Sequence, residues 1–267
     1  MRVTCPAFGT VLDLERPPRR VVSFVSSATE TLFELGCGEA VIGVTPYCSR
    51  YVDGLSAPVV GDYLKTDLAA LKALEPDLVL VTLGIQTAFG RRLAQAGLPV
   101  YALPLPASRH GILENQLTLG GLMHRVPEAR ALNRRMEAGF AALLADAPAN
   151  PPEVFAELWF GRHLRGVGGL TFIHALIELA GGRPGDLPGS EAYPRLEEAT
   201  LKALRPERWI LFQEPDFPVD ADALRAQRGW PEALPAIAST VDRGRNLIHD
   251  GPSFLDTARW LKAHLGR

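Results

Sequence analysis

Short runs of apolar, often β-branched residues alternate along the chain with longer segments in which apolar residues recur at helical spacing. The short runs are typical of buried strands, and the helical segments are typical of helices that cover a sheet. This alternation predicts an α/β fold with mostly parallel strands. The predicted strands span residues 20–24, 41–45, 77–82, 100–103, 153–159, 208–213, 237–240 and 246–249. Predicted helices include residues 27–35, 67–74 and 171–179.

One heptamer occurs twice. The run LKALEPD at residues 71–77 returns as LKALRPE at residues 201–207, an offset of 201 − 71 = 130 residues. Each copy leads directly into an apolar run, LVLV or WILF, which indicates a helix ended by proline and then a buried parallel strand. The run ELG at residues 34–36 is similarly echoed by ELAG at residues 178–181. The sequence therefore predicts two lobes of similar construction.

A helical connector is predicted between the lobes. Leu132, Met136 and Phe140 recur at helical spacing within residues 126–145, and the breaker run PANPP follows at residues 148–152. We therefore expect an N-terminal α/β lobe at residues 1–107, a connector at 108–149 and a C-terminal α/β lobe at 150–267. A single long rigid helix that joins the lobes would limit hinge motion between them.

Charge and targeting signals narrow the class of protein. The chain has 28 basic and 30 acidic residues, so its net charge of −2 does not favour nucleic-acid binding. We expect no membrane insertion, because no apolar stretch is long enough to span a bilayer. The first twenty residues lack a secretory leader pattern, and the three cysteines form an odd set. Both observations favour a cytoplasmic location, or an extracytoplasmic one if a leader was removed.

Common catalytic motifs are absent from the sequence, so we expect a binding protein and not an enzyme, with no catalytic residue, cofactor or resident metal. The loop at residues 24–27 is a candidate for ligand contact, and Ser27 to Glu30 read as a capping box. Cys48 follows a predicted strand, where α/β folds place ligands. Aromatic rings beside predicted turns or strand ends offer flat walls for a large conjugated ligand. These rings are Tyr47, Tyr63, Trp159, Phe160 and Tyr193.

Several long runs resemble one known family. They include RVVSFVSSATETLFELGCGEAVIGVTPYCSRY, LAALKALEPDLVLV, LIELAGGRPGDLP and DGPSFLDTARWLKAHL. In order and spacing they are similar to the substrate-binding proteins of ABC importers for cobalamin, siderophores and haem, which have a helical backbone. The cobalamin binders look most similar. The resemblance implies non-catalytic binding of a corrinoid in the cleft between two lobes. The ligand-binding residues that it and the strand-end pattern suggest are Ser26, Ser27, Tyr47, Cys48, Tyr63, Trp159, Phe160, Tyr193, Asp242 and Arg243.

Two alternatives remain open at this stage. An iron siderophore would use Arg50, Arg162 and Arg243, and haem would use Tyr47 or Tyr63 as a ligand. An enzyme that acts in the cleft has only the general fold class in its favour.

The resemblance also bears on the partners. Importing relatives present a glutamate on each lobe to the membrane permease, and the matching positions here are Ala69 and Ala199. Asp67 and Glu197 lie two residues earlier, where a helix turns a side chain in another direction. We therefore expect the chain to bind a small molecule without docking on a permease.

Overall fold

A computed structural model describes residues 2–185, 187 and 191–266 of the chain. The chain separates into two compact units. Unit 1 comprises Met1–Pro106, His110–Met136 and Asp250–Pro252. Unit 2 comprises Ala107–Arg109, Glu137–His249 and Ser253–Arg267.

Unit 1 contains a parallel sheet and the helices that follow its strands. Its elements are β1 (Arg2–Thr4), β2 (Val11–Asp13), β3 (Val21–Ser23), α1 (Ser26–Glu34), β4 (Val41–Gly43), α2 (Leu68–Ala73), β5 (Leu78–Thr82), α3 (Thr87–Gln95), β6 (Val100–Leu103), α4 (Arg109–Leu122) and the first part of α5 (Val126–Ala145). Single 3₁₀ turns lie at Gly38–Ala40 and Cys48–Arg50.

The parallel sheet of unit 1 has the strand order β4-β3-β5-β6. All five residues of β5 are buried, as expected for a parallel strand that is covered on both faces. Val22, Val79 and Val81 pack with Phe24 and Phe89 in the core. The rings of Phe24 and Phe89 meet edge to face, with centroids 4.9 Å apart. Since the strands are parallel, their carboxyl ends lie along one edge of the sheet.

Strands β1 and β2 form a separate antiparallel hairpin. The hairpin packs on the sheet through Cys5, which is fully buried in the same core. Its Phe8 ring lies against Gly90 of α3, where an added Cβ would be 2.8 Å from the ring. Gly90 therefore allows the hairpin to approach α3 closely.

Unit 2 contains a second, mostly parallel sheet. Its elements, besides the last part of α5, are β7 (Glu153–Phe160), β8 (His163–Gly166), α6 (Phe172–Leu179), β9 (Arg183–Pro184), α7 (Glu198–Ala203), β10 (Arg208–Gln213), α8 (Ala221–Arg228), β11 (Ala236–Ser239) and α9 (Phe254–Leu265). The described strands have the order β11-β10-β7-β8, and β9 also pairs with β7. Only the β7–β8 pair among them is antiparallel.

The repeated heptamer has the same structural role in both units. Helices α2 and α7 and strands β5 and β10 begin at positions that differ by 130 residues, 198 − 68 and 208 − 78. The final acidic residue of each copy accepts backbone N–H bonds from the start of the neighbouring segment. Asp77 accepts from Arg19 (2.8 Å) and Arg20 (2.9 Å), and Glu207 accepts from Glu153 (2.6 Å). The repeat therefore gives the two lobes the same local helix-to-strand unit.

Two local predictions were wrong. Helix α1 begins at Ser26, its N-cap residue Val25 has no side-chain cap, and Ser27 and Glu30 are buried inside the helix, so there is no capping box. The start of this helix is buried, and the apolar residue Val25 occupies the N-cap position. The Val25 carbonyl accepts a hydrogen bond from the Thr29 hydroxyl (3.1 Å). Residues 246–249 form a turn and no strand. The His249 N–H bonds to the Asn246 carbonyl, and the Leu247 N–H donates to the Ser239 hydroxyl (3.1 Å) and not to a strand backbone.

The α/β class with mostly parallel sheets is confirmed. The helix predicted at residues 126–145 is found as α5, and the boundary between the two units falls within it, after Met136. Among the described residues, no helix has both the length and the apolar character needed to cross a bilayer.

Candidate functional site

The carboxyl edge of the sheet in unit 1 carries exposed apolar side chains. Tyr47 follows β4 and is 38% exposed, Ile85 follows β5 and is 67% exposed, and Leu105 follows β6 and is 41% exposed. A Cβ added at Gly84 would lie 3.6 Å from Leu105 Cδ2, so the loops after β5 and β6 are adjacent. Ligands of open α/β sheets bind at this edge. We call Tyr47, Ile85 and Leu105 the apolar edge of unit 1.

A buried glutamine joins the loops at this edge. The Gln86 side-chain oxygen accepts the Thr82 N–H (2.8 Å), and its nitrogen donates to the backbone carbonyls of Phe24 (3.0 Å) and Tyr63 (2.7 Å). Because Gln86 has no exposed surface, its bonds to Thr82 and Phe24 are shielded from water, and its bond to Tyr63 is partly shielded. Gln86 thereby ties the ends of β3 and β5 to the segment that carries Tyr63.

The Tyr63 phenol is half-buried in unit 1. Burial raises the pKa of this phenol well above its usual range, and the negative charge of Asp250 raises it further. The phenol therefore stays protonated at neutral pH and acts as a neutral polar group on an aromatic ring.

Arg50 supplies a positive charge to the same edge. Its guanidinium lies over the Tyr47 ring, 5.3 Å from the centroid. A cation in this position shields one face of the ring and holds it in place. Tyr47 and Arg50 together form a flat, partly exposed surface with a positive rim.

Ser26, Ser27 and Cys48 lie beneath this edge. Ser26 is half-buried, and Ser27 is buried and lines a cavity of about 10 Å³, which is room for about one water molecule. Cys48 has no exposed surface, and its sulfur lies 3.2 Å from the Thr29 hydroxyl and 3.3 Å from that of Thr45. The thiol of Cys48 belongs to the packing of unit 1, so we leave it out of the binding surface.

The carboxyl edge of unit 2 is formed by the ends of β7, β10 and β11. Phe160 is half-buried and packs on Phe212, with ring centroids 5.9 Å apart. The Gly161 N–H donates to the Glu214 carboxylate (2.7 Å), so a side chain from the end of β10 fixes the end of β7. Phe217, in the loop after β10, is an exposed ring.

Trp159 is half-buried and lies beside Phe160 at the end of β7. Its indole N–H donates to Glu157 Oε1 (3.1 Å). Consecutive residues of a strand face opposite sides, so Trp159 and Phe160 point to the two faces of the sheet. The end of β7 therefore presents one aromatic ring on each face.

Asp242 and Arg243 are exposed in the turn after β11. Asp242 accepts a bond from the Thr240 hydroxyl (2.8 Å), and the Arg245 N–H bonds to the Asp242 carbonyl (3.0 Å). This turn lies at the carboxyl edge, where the resemblance suggests contact with the ligand.

Tyr193 lies elsewhere in unit 2. It is half-buried in an extended segment beside β8, where the Gly166 N–H donates to the Pro194 carbonyl (2.8 Å) and Gly168 N–H to the Ala192 carbonyl (2.9 Å). Tyr193 does not lie at the carboxyl end of a parallel strand. Its contact with a ligand stays a prediction.

The sequence interpretation missed Ile85, Leu105 and Gln86. Ile85 and Leu105 could have been noticed as apolar residues just past a predicted strand end. The three bonds of Gln86 leave no local sequence signal, because two of its partners are distant in the chain.

The carboxyl edges of the two units are the candidate binding surfaces. They present exposed aromatic and aliphatic side chains, a few polar groups and one stacked cation. The described residues contain no group of three or more His, Cys, Asp or Glu side chains that could hold a metal ion. Two α/β units with exposed apolar side chains at their carboxyl edges are compatible with a solute-binding protein.

Comparison with known proteins identifies the family. The sequence matches the periplasmic binding protein family over residues 21–240, and the chain belongs to this family. It is 31% identical over 242 residues to a cobalamin-binding protein of Halobacterium salinarum, an alignment that covers 88% of this chain and 62% of that protein. The chain thus spans less than two thirds of the length of this relative.

Solved structures show the same fold. The petrobactin-binding protein YclQ of Bacillus subtilis has a TM-score of 0.77 at 15% identity, covering 100% of this chain and 99% of that one. The periplasmic haem-binding protein HutB of Vibrio cholerae has a TM-score of 0.71 at 20% identity, covering 91% and 97%. At these identities the likeness establishes the two-lobed binding-protein fold and not the ligand.

Proposed function

We propose that this chain binds a corrinoid, without catalysis, in a cleft between its two lobes. It would act as an importer-type solute-binding protein or as an intracellular derivative of one. The observation that carries the proposal is the 31% identity to a cobalamin-binding protein, which extends over 88% of this chain. Its other relatives by family and fold are also binding proteins.

The carboxyl edges supply suitable surfaces for such a ligand. A corrinoid is a large macrocycle with apolar faces and an amide-bearing rim. Tyr47, Ile85 and Leu105 of unit 1, and Phe160 and Phe217 of unit 2, would cover apolar parts of the macrocycle. Each Å² of apolar surface that they bury contributes roughly 25 cal/mol before ordering costs. The polar tips of Tyr63 and Tyr193 and the backbone amides of the loops would meet the rim.

Haem is the second candidate, because solved haem binders share the fold. Ferric haem prefers an ionised phenol or an imidazole as its axial ligand. The raised pKa of the Tyr63 phenol works against ionisation of this residue. The phenol of Tyr47, which is more exposed, would then be the remaining tyrosine candidate at the edge.

An anionic siderophore is the third candidate. Arg50 on the Tyr47 ring is a fixed cation, and Arg162 and Arg243 are exposed in the edge loops of unit 2. Asp242 next to Arg243 reduces the positive charge at that loop. This balance favours a neutral amide-rimmed ligand over a multiply charged one.

We expect the chain not to dock on a permease through the usual glutamates. Ala69 and Ala199 are both exposed near the starts of α2 and α7. Asp67 is occupied as the helix cap, since its carboxylate accepts the N–H groups of Ala69 (2.9 Å) and Ala70 (3.1 Å). Glu197 makes no side-chain cap bond to α7. A cytoplasmic location stays a prediction that accords with this expectation.

A titration tests the ligand. Hydroxocobalamin is added to the purified chain, and binding is followed by the visible spectrum and by isothermal titration calorimetry. We expect one equivalent to bind with micromolar or tighter affinity and to resist displacement by haemin and by ferric petrobactin. Stoichiometric binding of haemin or the siderophore, with no binding of a corrinoid at micromolar concentration, would overturn the proposal.

A further inference from the structure

A buried ion pair lies within unit 2, on the face of the sheet that packs against α7 and α8. Glu157 is in the middle of β7 and Arg228 is the last residue of α8, and neither is exposed to solvent. Glu157 Oε2 lies 2.9 Å from Arg228 Nη1. A buried ion pair is seldom more stable than apolar residues of the same volume. Stability alone therefore does not account for a charge at the centre of this strand.

Arg228 is held firmly on its other sides. Its guanidinium lies 5.4 Å from the centroid of the Trp209 ring and 4.9 Å from that of Trp230. The two rings meet edge to face, and the Trp230 indole N–H donates to the Leu201 carbonyl (3.1 Å). The two aromatic rings thus limit the position of the guanidinium. Its contact with Glu157 Oε2 is an ion pair whose geometry is not that of a hydrogen bond.

The second oxygen of Glu157 reaches toward the carboxyl edge. It accepts the indole N–H of Trp159 at 3.1 Å, and Trp159 lies beside Phe160 at the end of β7. The Trp159 ring also packs against the core cluster that includes Leu201 and Trp230. This packing limits the position of the ring, and the bond to Glu157 fixes the direction of its indole N–H.

We infer that Glu157 is a positioning residue, which holds the Trp159 indole in the orientation that contacts the ligand. Arg228 in turn holds the Glu157 carboxylate in place. This inference rests on the proposed function. Prior immobilisation of one large side chain is expected to tighten binding roughly three- to tenfold.

The test uses paired substitutions, so that no single charge is left buried. Glu157→Leu combined with Arg228→Met removes the acceptor of the Trp159 bond. Glu157→Gln combined with Arg228→Met removes the charges but keeps an acceptor oxygen. We expect the first pair to bind hydroxocobalamin about three- to tenfold more weakly than the wild type, and the second pair to restore most of the affinity.

A double-mutant cycle with Trp159→Phe separates positioning from general structure. If Glu157 acts through Trp159, the Leu–Met pair has no further effect on affinity in the Trp159→Phe background. Equal affinity of the Leu–Met pair and the wild type, or an equal loss in both backgrounds, would overturn the inference. Urea unfolding confirms that each variant is folded.

Near-UV circular dichroism gives a readout that needs no ligand. The difference between wild type and Trp159→Phe reports the fixed Trp159 indole. This difference should vanish in the Glu157→Leu and Arg228→Met pair, and it should persist in the pair with glutamine. Its persistence in the Leu–Met pair would refute the positioning role. A wild-type chain that binds no corrinoid would instead overturn the proposed function, and the dichroism would then decide the positioning of Trp159 by itself.

Discussion

Replacement of Ile85 by asparagine tests whether the carboxyl edge of unit 1 binds the ligand. Ile85 is 67% exposed in the loop between β5 and α3, so most of its side chain contributes little to folding. Full burial of an isoleucine side chain contributes about 1.5–3 kcal/mol. If the ligand covers the exposed two thirds, the contact contributes about 1–2 kcal/mol, which corresponds to roughly a 5- to 30-fold change in affinity.

The matched control is Val11→Asn. Val11 is 55% exposed, in the β1–β2 hairpin outside the parallel sheet. Both substitutions replace an exposed β-branched residue by the same amide, and both should change the free energy of unfolding by less than about 0.5 kcal/mol. Calorimetric titration with hydroxocobalamin should show weaker binding for Ile85→Asn and unchanged binding for Val11→Asn.

A second pair repeats the test with leucines of equal exposure. Leu105 is 41% exposed at the end of β6, and Leu144 is 40% exposed in the last turn of α5. Leu105→Ser should weaken binding by roughly 1 kcal/mol, and Leu144→Ser should leave it unchanged. If Ile85→Asn and Leu105→Ser both bind as tightly as their controls, the apolar edge of unit 1 is not a ligand surface and the reasoning fails.

Three further predictions concern buried groups. Gln86→Leu removes the partner of three backbone groups and should lower the free energy of unfolding by about 3 kcal/mol, measured by urea unfolding, and weaken ligand binding as well. Tyr63→Phe tests the raised phenol pKa: the unfolded chain ionises near the ordinary value of 10.0, whereas burial and Asp250 keep the folded phenol neutral. The contribution of this group is fully present below pH 10 and is lost as the pH rises toward the folded pKa, so wild-type stability should fall more steeply than that of Tyr63→Phe, by up to about 1.4 kcal/mol per pH unit. An equal fall in both proteins would contradict the assignment. Glu157→Ala alone should cost about 3–5 kcal/mol in chemical unfolding because it leaves the charge of Arg228 buried; a loss below about 1 kcal/mol would show that the ion pair is not formed.

Much of the fold could be predicted from the sequence, because buried elements show a periodic pattern of apolar residues. Strand β6 has the predicted bounds, and β10 is also predicted to the residue. The helix predicted at residues 126–145 is found as α5. Strand β6 is apolar to both ends, and in β10 the buried run WILF is flanked by the polar residues Arg208 and Gln213, so the pattern marks the boundaries of both strands.

The weaker predictions share a different cause. The polar pair Ser27 and Glu30 matched a capping signature, but tertiary packing buried both residues within α1. The run at 246–249 contains Leu247 and Ile248, yet Leu247 is buried within a turn, where its N–H donates to the Ser239 hydroxyl. The backbone groups of a short polar or apolar run can thus form their hydrogen bonds in more than one conformation. The tertiary contacts of the run determine which conformation it adopts.

The candidate site was less accessible to prediction. Exposed rings such as Tyr47 were expected from strand ends, whereas Cys48, its neighbour in the chain, proved to be buried. The 3₁₀ turn at Cys48–Arg50 separates the two, since it sends the thiol inward and places Arg50 over the Tyr47 ring. Adjacent residues in an irregular loop therefore carry no reliable signal of orientation.

The two units differ in the way they hold their carboxyl edges, although their repeat is the same. Asp77 and Glu207 support equivalent strand starts at the amino edge of each sheet. At the opposite edge, unit 1 uses the neutral amide of Gln86, whereas unit 2 uses the carboxylates of Glu157 and Glu214. Packing places the same constraint on the amino edges of both sheets, because each edge carries the same helix-to-strand turn. The carboxyl edges are free of that constraint. Under the proposed function they would offer a ligand different surfaces: one ring with the aliphatic Ile85 and Leu105 in unit 1, and the rings of Phe160 and Phe217 in unit 2.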